Sequence, residues 1–200
     1  MVRKGRTFSK PHTCRIIGVA GSRRGVGVTH FCILSANYLS GCMGKKTAVL
    51  EWNNNGDFER IEKICTGKRG KEKCFSVLDV SYYRNAGAAQ LAECMASEYQ
   101  YIIVDFGVYS EEKREELLRC GSRVLIGSFT EWQEEEFLHY LKKRSKGENS
   151  WIYAAVFGSG ETRREVRKKM RASVLQIPYA DDAFLITSVL FKFFRNFFED

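Results

Sequence analysis

The chain has 200 residues and a formal net charge of +8, with 44% hydrophobic and 28% charged residues. That length suits one domain with a substantial core, and the composition is ordinary for a globular protein. No apolar run is long enough to span a bilayer. The basic stretch Met1–Lys10 has no apolar segment behind it, so a secretory signal is excluded and a cytoplasmic chain is expected.

Seven cysteines (Cys14, Cys32, Cys42, Cys65, Cys74, Cys94, Cys120) are scattered, with no C-x-x-C pair. Metal-site spacing is absent, and reduced, mostly buried thiols are expected. His12, His30 and His139 are each isolated, and no ligand or catalytic role is expected of them. Lysine and arginine gather at Arg3–Lys10, Lys68–Lys73, Lys142–Lys146 and Arg163–Arg171. Such a surplus favours polyanions, or is simply a solvated basic surface; no aromatic-basic module accompanies it.

In chain order, residues 1–13 are expected to be a flexible basic arm, and 14–200 a single domain. Arg15–Ala20 is an apolar strand, and Thr29–Ser40 a helix stopped by Gly41 and Gly44. Thr47–Leu50 is the next strand, Asn53–Gly56 a turn, Phe58–Cys65 a helix and Gly67–Lys73 a loop. Helix Ala88–Ser97 precedes the buried strand Tyr101–Val104. Helix Glu111–Arg119, strand Arg123–Ile126, helix Gln133–Lys143, strand Trp151–Phe157 and helix Glu161–Met170 follow. Val174–Ile177 is a short strand ended by Pro178, and Phe184–Phe198 a phenylalanine-rich helix. Strands alternating with helices predict an α/β fold, a three-layer α/β/α sandwich with a mostly parallel central sheet. The loops after Ala20, Leu50 and Val104 should then converge at the carboxyl ends of the strands, where ligands bind.

The first of those loops is the most telling. Gly21-Ser22-Arg23-Arg24-Gly25-Val26-Gly27-Val28-Thr29 joins a buried strand to a helix with glycines that let backbone wrap an anion. Thr29 stands where a hydroxyl binds Mg²⁺ in a phosphate-binding loop. Asp105, closing the strand Tyr101–Val104, stands where a second carboxylate supports that ion. These two are the candidate metal ligands, and residues 21–29 the candidate nucleotide cradle.

These motifs resemble the ParA/MinD-like ATPases, the deviant Walker A branch of P-loop proteins, whose loop reads G-K-G-G-V-G-K-T. Here Ser22 to Thr29 occupy those eight positions. Val49–Asp57 resembles the family's V-D-x-D-P-Q-G-N segment, Tyr101–Gly107 its Walker B strand, and Gln176–Tyr179 its late I-P motif. The resemblance implies ATP or ADP with Mg²⁺, a homodimer or pairing with a related ATPase, and a positioning role. The departures are equally specific. Arg23 replaces the lysine that reaches across the family's dimer, Arg24 a glycine, and Val28 the phosphate-gripping lysine. Asn53 stands at the place of the water-positioning aspartate. The adenine-recognising asparagine has no evident counterpart around Val156–Ser159. Losing one preorganised stabilising group typically costs on the order of 10²–10³ in rate, so weak or no ATP hydrolysis is expected. Eroded loops of this kind resemble the pilus-localising TadZ/CpaE-like branch. A nucleotide-free scaffold, and a tether to DNA or an anionic membrane surface at the inner membrane face, stand as alternatives.

Two further segments remain open. In Phe184–Phe198 only Ser188, Lys192, Arg195 and Asn196 form a polar face. The helix either covers the sheet, lies in a membrane interface as in MinD-like proteins, or fills a partner's groove. The basic helix Glu161–Arg171 is a solvated face or a phosphate-tracking surface. Glu131 and Glu134–Glu136 suit a helix start.

Overall fold

The computed structural model describes residues 14–68, 70, 72–143 and 151–199. The expected basic arm, 1–13, lies outside the described residues. Eight strands form one sheet: β1 (Arg15–Gly21), β2 (Thr47–Glu51), β3 (Cys74–Val77), β4 (Val80–Tyr83), β5 (Tyr101–Val108), β6 (Ser122–Gly127), β7 (Trp151–Ala155) and β8 (Val174–Gln176). Their order is β3-β4-β2-β5-β1-β6-β7-β8, and every neighbouring pair is parallel except β3 with β4. The helices are α1 (Val28–Asn37), α2 (Asp57–Thr66), α3 (Ala88–Ala96), α4 (Arg114–Arg119), α5 (Glu134–Lys143), α6 (Gly160–Met170) and α7 (Ser188–Glu199).

The central strands are apolar throughout because both faces are covered. Successive residues alternate between two cores. Ile17, Val19, Val49, Ile103, Val124 and Ile126 join one with Phe31 of α1, Phe58 of α2 and Phe194 of α7. Ala20, Leu50, Ile102, Val104 and Leu125 join the other with Cys94 of α3, Leu117 of α4, Phe137 and Leu141 of α5 and Val166 of α6. This is the three-layer sandwich expected from the alternation of strands and helices.

Helix α1 carries little polar face because it is enclosed between the sheet and α7: Phe31, Cys32, Ile33, Leu34, Ser35, Ala36 and Asn37 are all buried. The Asn37 side chain donates to the Ala183 carbonyl at 3.2 Å, tying α1 to the segment before α7. The aromatic run of α7 faces inward. Phe194 stacks on Tyr38 at 5.6 Å and sits 5.7 Å from Phe31, while Phe198 lies parallel to Tyr38 at 5.8 Å. Of the three readings of this segment, cover for the sheet describes its position.

Four elements differ from expectation. The hairpin β3–β4 replaces what the sequence presented without a strand; its turn residues Leu78 and Asp79 both have positive φ, 49° and 60°. The first helix passes at Tyr38–Cys42 into a π-helical turn. Residues 111–113 form a 3₁₀ turn ahead of α4. Helix α7 begins at Ser188 and not at Phe184, because the Thr187 hydroxyl accepts from the Leu190 amide at 3.4 Å and marks the start. Among the described residues no helix is long and apolar enough to cross a membrane.

A buried ion pair anchors the sheet's outer edge. Arg84, just past β4, donates to Glu62 of α2 at 2.7 Å with both side chains buried, and also to the Gly70 carbonyl at 3.3 Å. The pair holds part of the basic Lys68–Lys73 loop against α2.

The packing of α7 makes a contrast that a denaturant titration reads. Phe194→Ala, at a fully buried ring, is expected to cost about 3–5 kcal/mol. Val189→Ala on the same helix, 62% exposed, is expected to stay within about 0.5 kcal/mol. Similar losses at both positions would show that α7 does not pack as described.

Candidate functional site

The loops at the carboxyl ends of β1, β2, β5, β6, β7 and β8 meet at one mouth. Backbone bonds fix their relative positions: Ser22 N donates to Ile126 O at 2.8 Å, Tyr109 N to Gly21 O at 2.9 Å, Trp52 N to Asp105 O at 2.8 Å, and Ile177 N to Ala155 O at 2.9 Å. Gly25 and Gly27 have φ of 85° and 84°, a left-handed conformation that residues with a Cβ rarely adopt. Gly27 is also the N-cap of α1. Among the described residues, no protein acceptor takes the amides of Arg23, Arg24, Gly25 or Gly27. Unpaired amides leading into a helix N-terminus are the elements of an anion site.

Thr29 and Asp105, the candidate metal ligands, are in direct contact: the Thr29 hydroxyl donates to Asp105 Oδ2 at 2.6 Å. Asp105 also accepts from Asn53 Nδ2 at 3.0 Å and from the Gly107 amide at 2.8 Å, both on Oδ1. Although satisfied by three donors, the carboxyl is fully buried, and burial pushes its pKa up to about 6. The Thr29 and Gly107 hydrogen bonds oppose that shift, while the buried Glu51 and the half-exposed Asp57 reinforce it. Glu51 in turn accepts from the Phe58 amide at 3.1 Å, capping the first turn of α2. The two oxygen donors fit Mg²⁺, whose charge would relieve the cost of holding an ionised Asp105 in the interior. Among the described residues no group of three or more His, Cys, Asp or Glu side chains gathers around a metal position. Such an ion would complete its shell from water and phosphate.

The substituted positions have their own geometry. Val28 is buried, and a Cβ placed on Gly21 would meet the Cγ2 atoms of both Val28 and Val26 at 2.8 Å. The two valines are thus folded onto the base of the loop, and Val28 presents an aliphatic surface where the resemblance places an ammonium. Arg23 reaches within its own chain: Nη1 donates to the Trp132 carbonyl at 3.0 Å and lies 3.4 Å from Glu136 of α5. Arg24 is exposed. The Asn53 amide group bonds Asp105 through both its carbonyl and its carboxylate, and its own oxygen accepts from the Asn55 amide at 3.0 Å. It is a fastener of the turn after β2.

No sequence pattern signals the pocket of about 240 Å³ beside the loop, between Gly25, Val26, Gly27, His30 and Phe31 on one side and Val156, Phe157 and Ile177–Ala180 on the other. Its second wall is apolar and carries no asparagine. Three aromatic side chains rim the mouth on successive loops: Trp132, 73% exposed, Phe157 and Tyr179, 80% exposed.

No family model matches the chain, and no curated protein matches it. Solved structures do. A putative plasmid partition protein from Borrelia burgdorferi B31 bound to AMPPNP is similar over 94% of this chain and 97% of its own, with a TM-score of 0.64 at 14% identity. A ParA family ATPase from Chlorobium tepidum TLS matches over 94% and 93%, with a TM-score of 0.59 at 15% identity. The septum site-determining protein MinD from Pyrococcus horikoshii OT3, complexed with Mg-ADP, matches over 90% and 86%, with a TM-score of 0.56 at 13% identity.

The state of Asp105 has a measurable consequence. An unfolded carboxyl ionises near 3.8, whereas the buried one keeps its proton to about 6. Between those values the folded state binds more protons, so its stability falls as pH rises, by about 3 kcal/mol in all. Urea unfolding from about pH 4 to 7 should show that fall in the wild type and a flatter profile in Asp105→Asn. Parallel profiles would refute the assignment. Eight strands in this order, a glycine loop running into α1, and Thr29 joined to Asp105 give the chain the P-loop fold of the ParA/MinD ATPases.

Proposed function

We propose that the chain is a nucleotide-responsive positioning or assembly factor of the ParA/MinD type, binding ATP or ADP with Mg²⁺ through residues 21–29 and hydrolysing it weakly or not at all. The observation that carries this is the split within one loop. Its backbone features are kept: two glycines at positive φ, unpaired amides and a Thr29–Asp105 contact of 2.6 Å. Its side-chain chemistry is not. Val28 is turned onto Gly21, and Asn53 is spent on Asp105 and Asn55. Backbone amides and a helix N-terminus suffice to hold a phosphate. Transfer of that phosphate further needs charge stabilisation and an oriented water. The AMPPNP and Mg-ADP of the similar structures support nucleotide as the ligand.

Such a protein acts through partners, and the exposed Trp132, Phe157 and Tyr179 at the mouth support a protein partner there: a second copy or a related ATPase. A nucleotide-free scaffold, as in the TadZ/CpaE-like branch, is the second reading. The Arg23 latch to Trp132 and Glu136 favours it, because that side chain is engaged within its own chain. A DNA or membrane-surface tether rests on α6, where Arg163, Arg164, Arg167, Lys168 and Lys169 line a helix whose one buried residue is Val166.

Calorimetric titration with Mg-ATP and Mg-ADP, with released phosphate measured alongside, separates these readings. The proposal expects saturable binding that Thr29→Ala removes. It also expects Val28→Lys to tighten binding roughly tenfold or more, the scale of one charge-assisted hydrogen bond. Absence of heat and of any melting shift would leave the scaffold. Turnover by the wild type that Val28→Lys does not accelerate would overturn weak hydrolysis.

A further inference from the structure

A phosphate held on the unpaired amides of the loop has the pocket of about 240 Å³ directly beside it, because Gly25 and Gly27 line both. The pocket's far wall is Val156, Phe157, Ile177 and Pro178, continued by Tyr179 and Ala180. Most of that wall's backbone is already engaged. Val156 N donates to the Gly127 carbonyl at 3.1 Å, and Ile177 N to the Ala155 carbonyl at 2.9 Å. The Gln176 side-chain amide donates to the Val156 carbonyl at 3.1 Å and to the Ile177 carbonyl at 3.3 Å. Pro178 has no N–H to offer. Across the pocket, His30 bonds the Ala180 backbone, and its Nε2 is closed off from solvent. The backbone groups of Phe157 and Tyr179 stand on the two exposed residues of the wall, where water competes for them. What the wall does present is flat apolar area, above all the rings of Phe157, 48% exposed, and Tyr179. Trp132 stands outside this lining.

We propose that this wall holds a nucleobase by stacking and apolar contact, and does not distinguish adenine from guanine. The inference rests on the nucleotide-binding reading above and names the class of ligand: purine nucleoside diphosphates and triphosphates, whichever purine they carry. Adenine and guanine present opposite groups at one position of the ring, an amino donor in the first and a carbonyl acceptor in the second. A site selects between them with a fixed donor or acceptor that the wrong base leaves unpaired, and such rejection reaches about 10⁴–10⁵. A wall whose carbonyls and amides are spent has no such group at Val156, Ile177 or Pro178. Stacking is indifferent to the edge, because every base has a π-face. The Tyr179 hydroxyl both donates and accepts, so it serves either base. Gln176 is the positioning residue of the wall. It joins the turn after β7 to the segment after β8 and withdraws two carbonyls from base recognition.

The test is calorimetric titration of the full chain with Mg-ADP, Mg-GDP and Mg-pyrophosphate. ADP and GDP are expected to bind within about fivefold of one another, and pyrophosphate, which forgoes the stacked ring, roughly tenfold or more weakly. Phe157→Ala is expected to weaken both nucleotides roughly tenfold and to leave pyrophosphate within about twofold. Phe157→Trp should keep or tighten both. Tyr179→Phe keeps the ring, removes the hydroxyl and should not move the ratio of ADP to GDP affinity. The wild-type ratio needs no variant, so it stands even if one fails to fold. A preference beyond about fivefold for either base would reveal a fixed donor or acceptor and overturn the proposal. So would nucleotides that bind no better than pyrophosphate, or that weaken by less than about twofold in Phe157→Ala. Those outcomes leave nucleotide binding by residues 21–29 intact. No heat and no melting shift with any of the three ligands would overturn that reading, and this inference with it.

Discussion

The hydrogen bond from Thr29 to Asp105 is the constraint on which the site depends. It joins the first turn of α1 to the end of β5, the strand beside β1, and so fixes the loop between β1 and α1 against the sheet. Asp105 then gathers Asn53 from the turn after β2 and the Gly107 amide from its own strand. Three loops converge on one carboxylate whose burial makes ionisation costly. A bare, unpaired carboxylate at that depth would be intolerable; with three donors it is held, and a cation would be welcome.

In the proposed reading, the backbone and side-chain requirements of a phosphate site come apart around this centre. Backbone features depend on φ and on chain direction, and Gly25 and Gly27 preserve them. Side-chain features depend on one atom at one position, and Val28 and Asn53 do not preserve those. The replacements are not vacancies. Val28 packs with Val26 on Gly21, adding apolar contact under the loop, and Asn53 satisfies both its donor and its acceptor. Each contributes to stability where a lysine or an aspartate would have contributed charge.

How much of this was legible in the sequence follows from what each feature requires. The sheet's core strands were readable because continuous apolar runs such as Ile102–Val104 arise only where both faces are covered. The sharp turn after β1 was readable because glycine spacing encodes backbone conformation directly. The β3–β4 hairpin was not: its turn places Leu78 and Asp79 at positive φ, where Asn-Gly or Asp-Gly is the usual signal. The start of α7 was missed because the apolar pattern runs on through Phe184 and Leu185 and outweighs the local cap signal of Thr187, three residues before Leu190. Arg23 and Asn53 were identified by position, but their engagement with Trp132, Glu136 and Asp105 depends on residues from 52 to 113 positions away. His30 looked isolated because its neighbours come from the ends of β7 and β8. No local pattern carries a pocket whose walls meet only after the sheet has formed.

The same folding logic joins the pocket to the aromatic helix. Phe31 lines the pocket beside His30, and its ring also lies 5.7 Å from Phe194 and 5.6 Å from Phe197 of α7. Helix α7 therefore backs the wall that a ligand would touch. Releasing α7 to another surface, whether membrane or partner, would strip Phe31 and Tyr38 of their ring contacts and open the layer that encloses α1. Each such ring pair is worth about 0.5–1.5 kcal/mol beyond its buried area, so the loss would be large against a typical folding stability of about 5–15 kcal/mol. Of the exposed apolar side chains of α7, Val189 lies outside these ring contacts, whereas Phe191 packs edge-on against Tyr38 at 5.6 Å. The aromatic excess that stands out in the sequence is thus accounted for mainly by the interior: α1 has almost no polar face, and α7 supplies the second surface that such a helix must have.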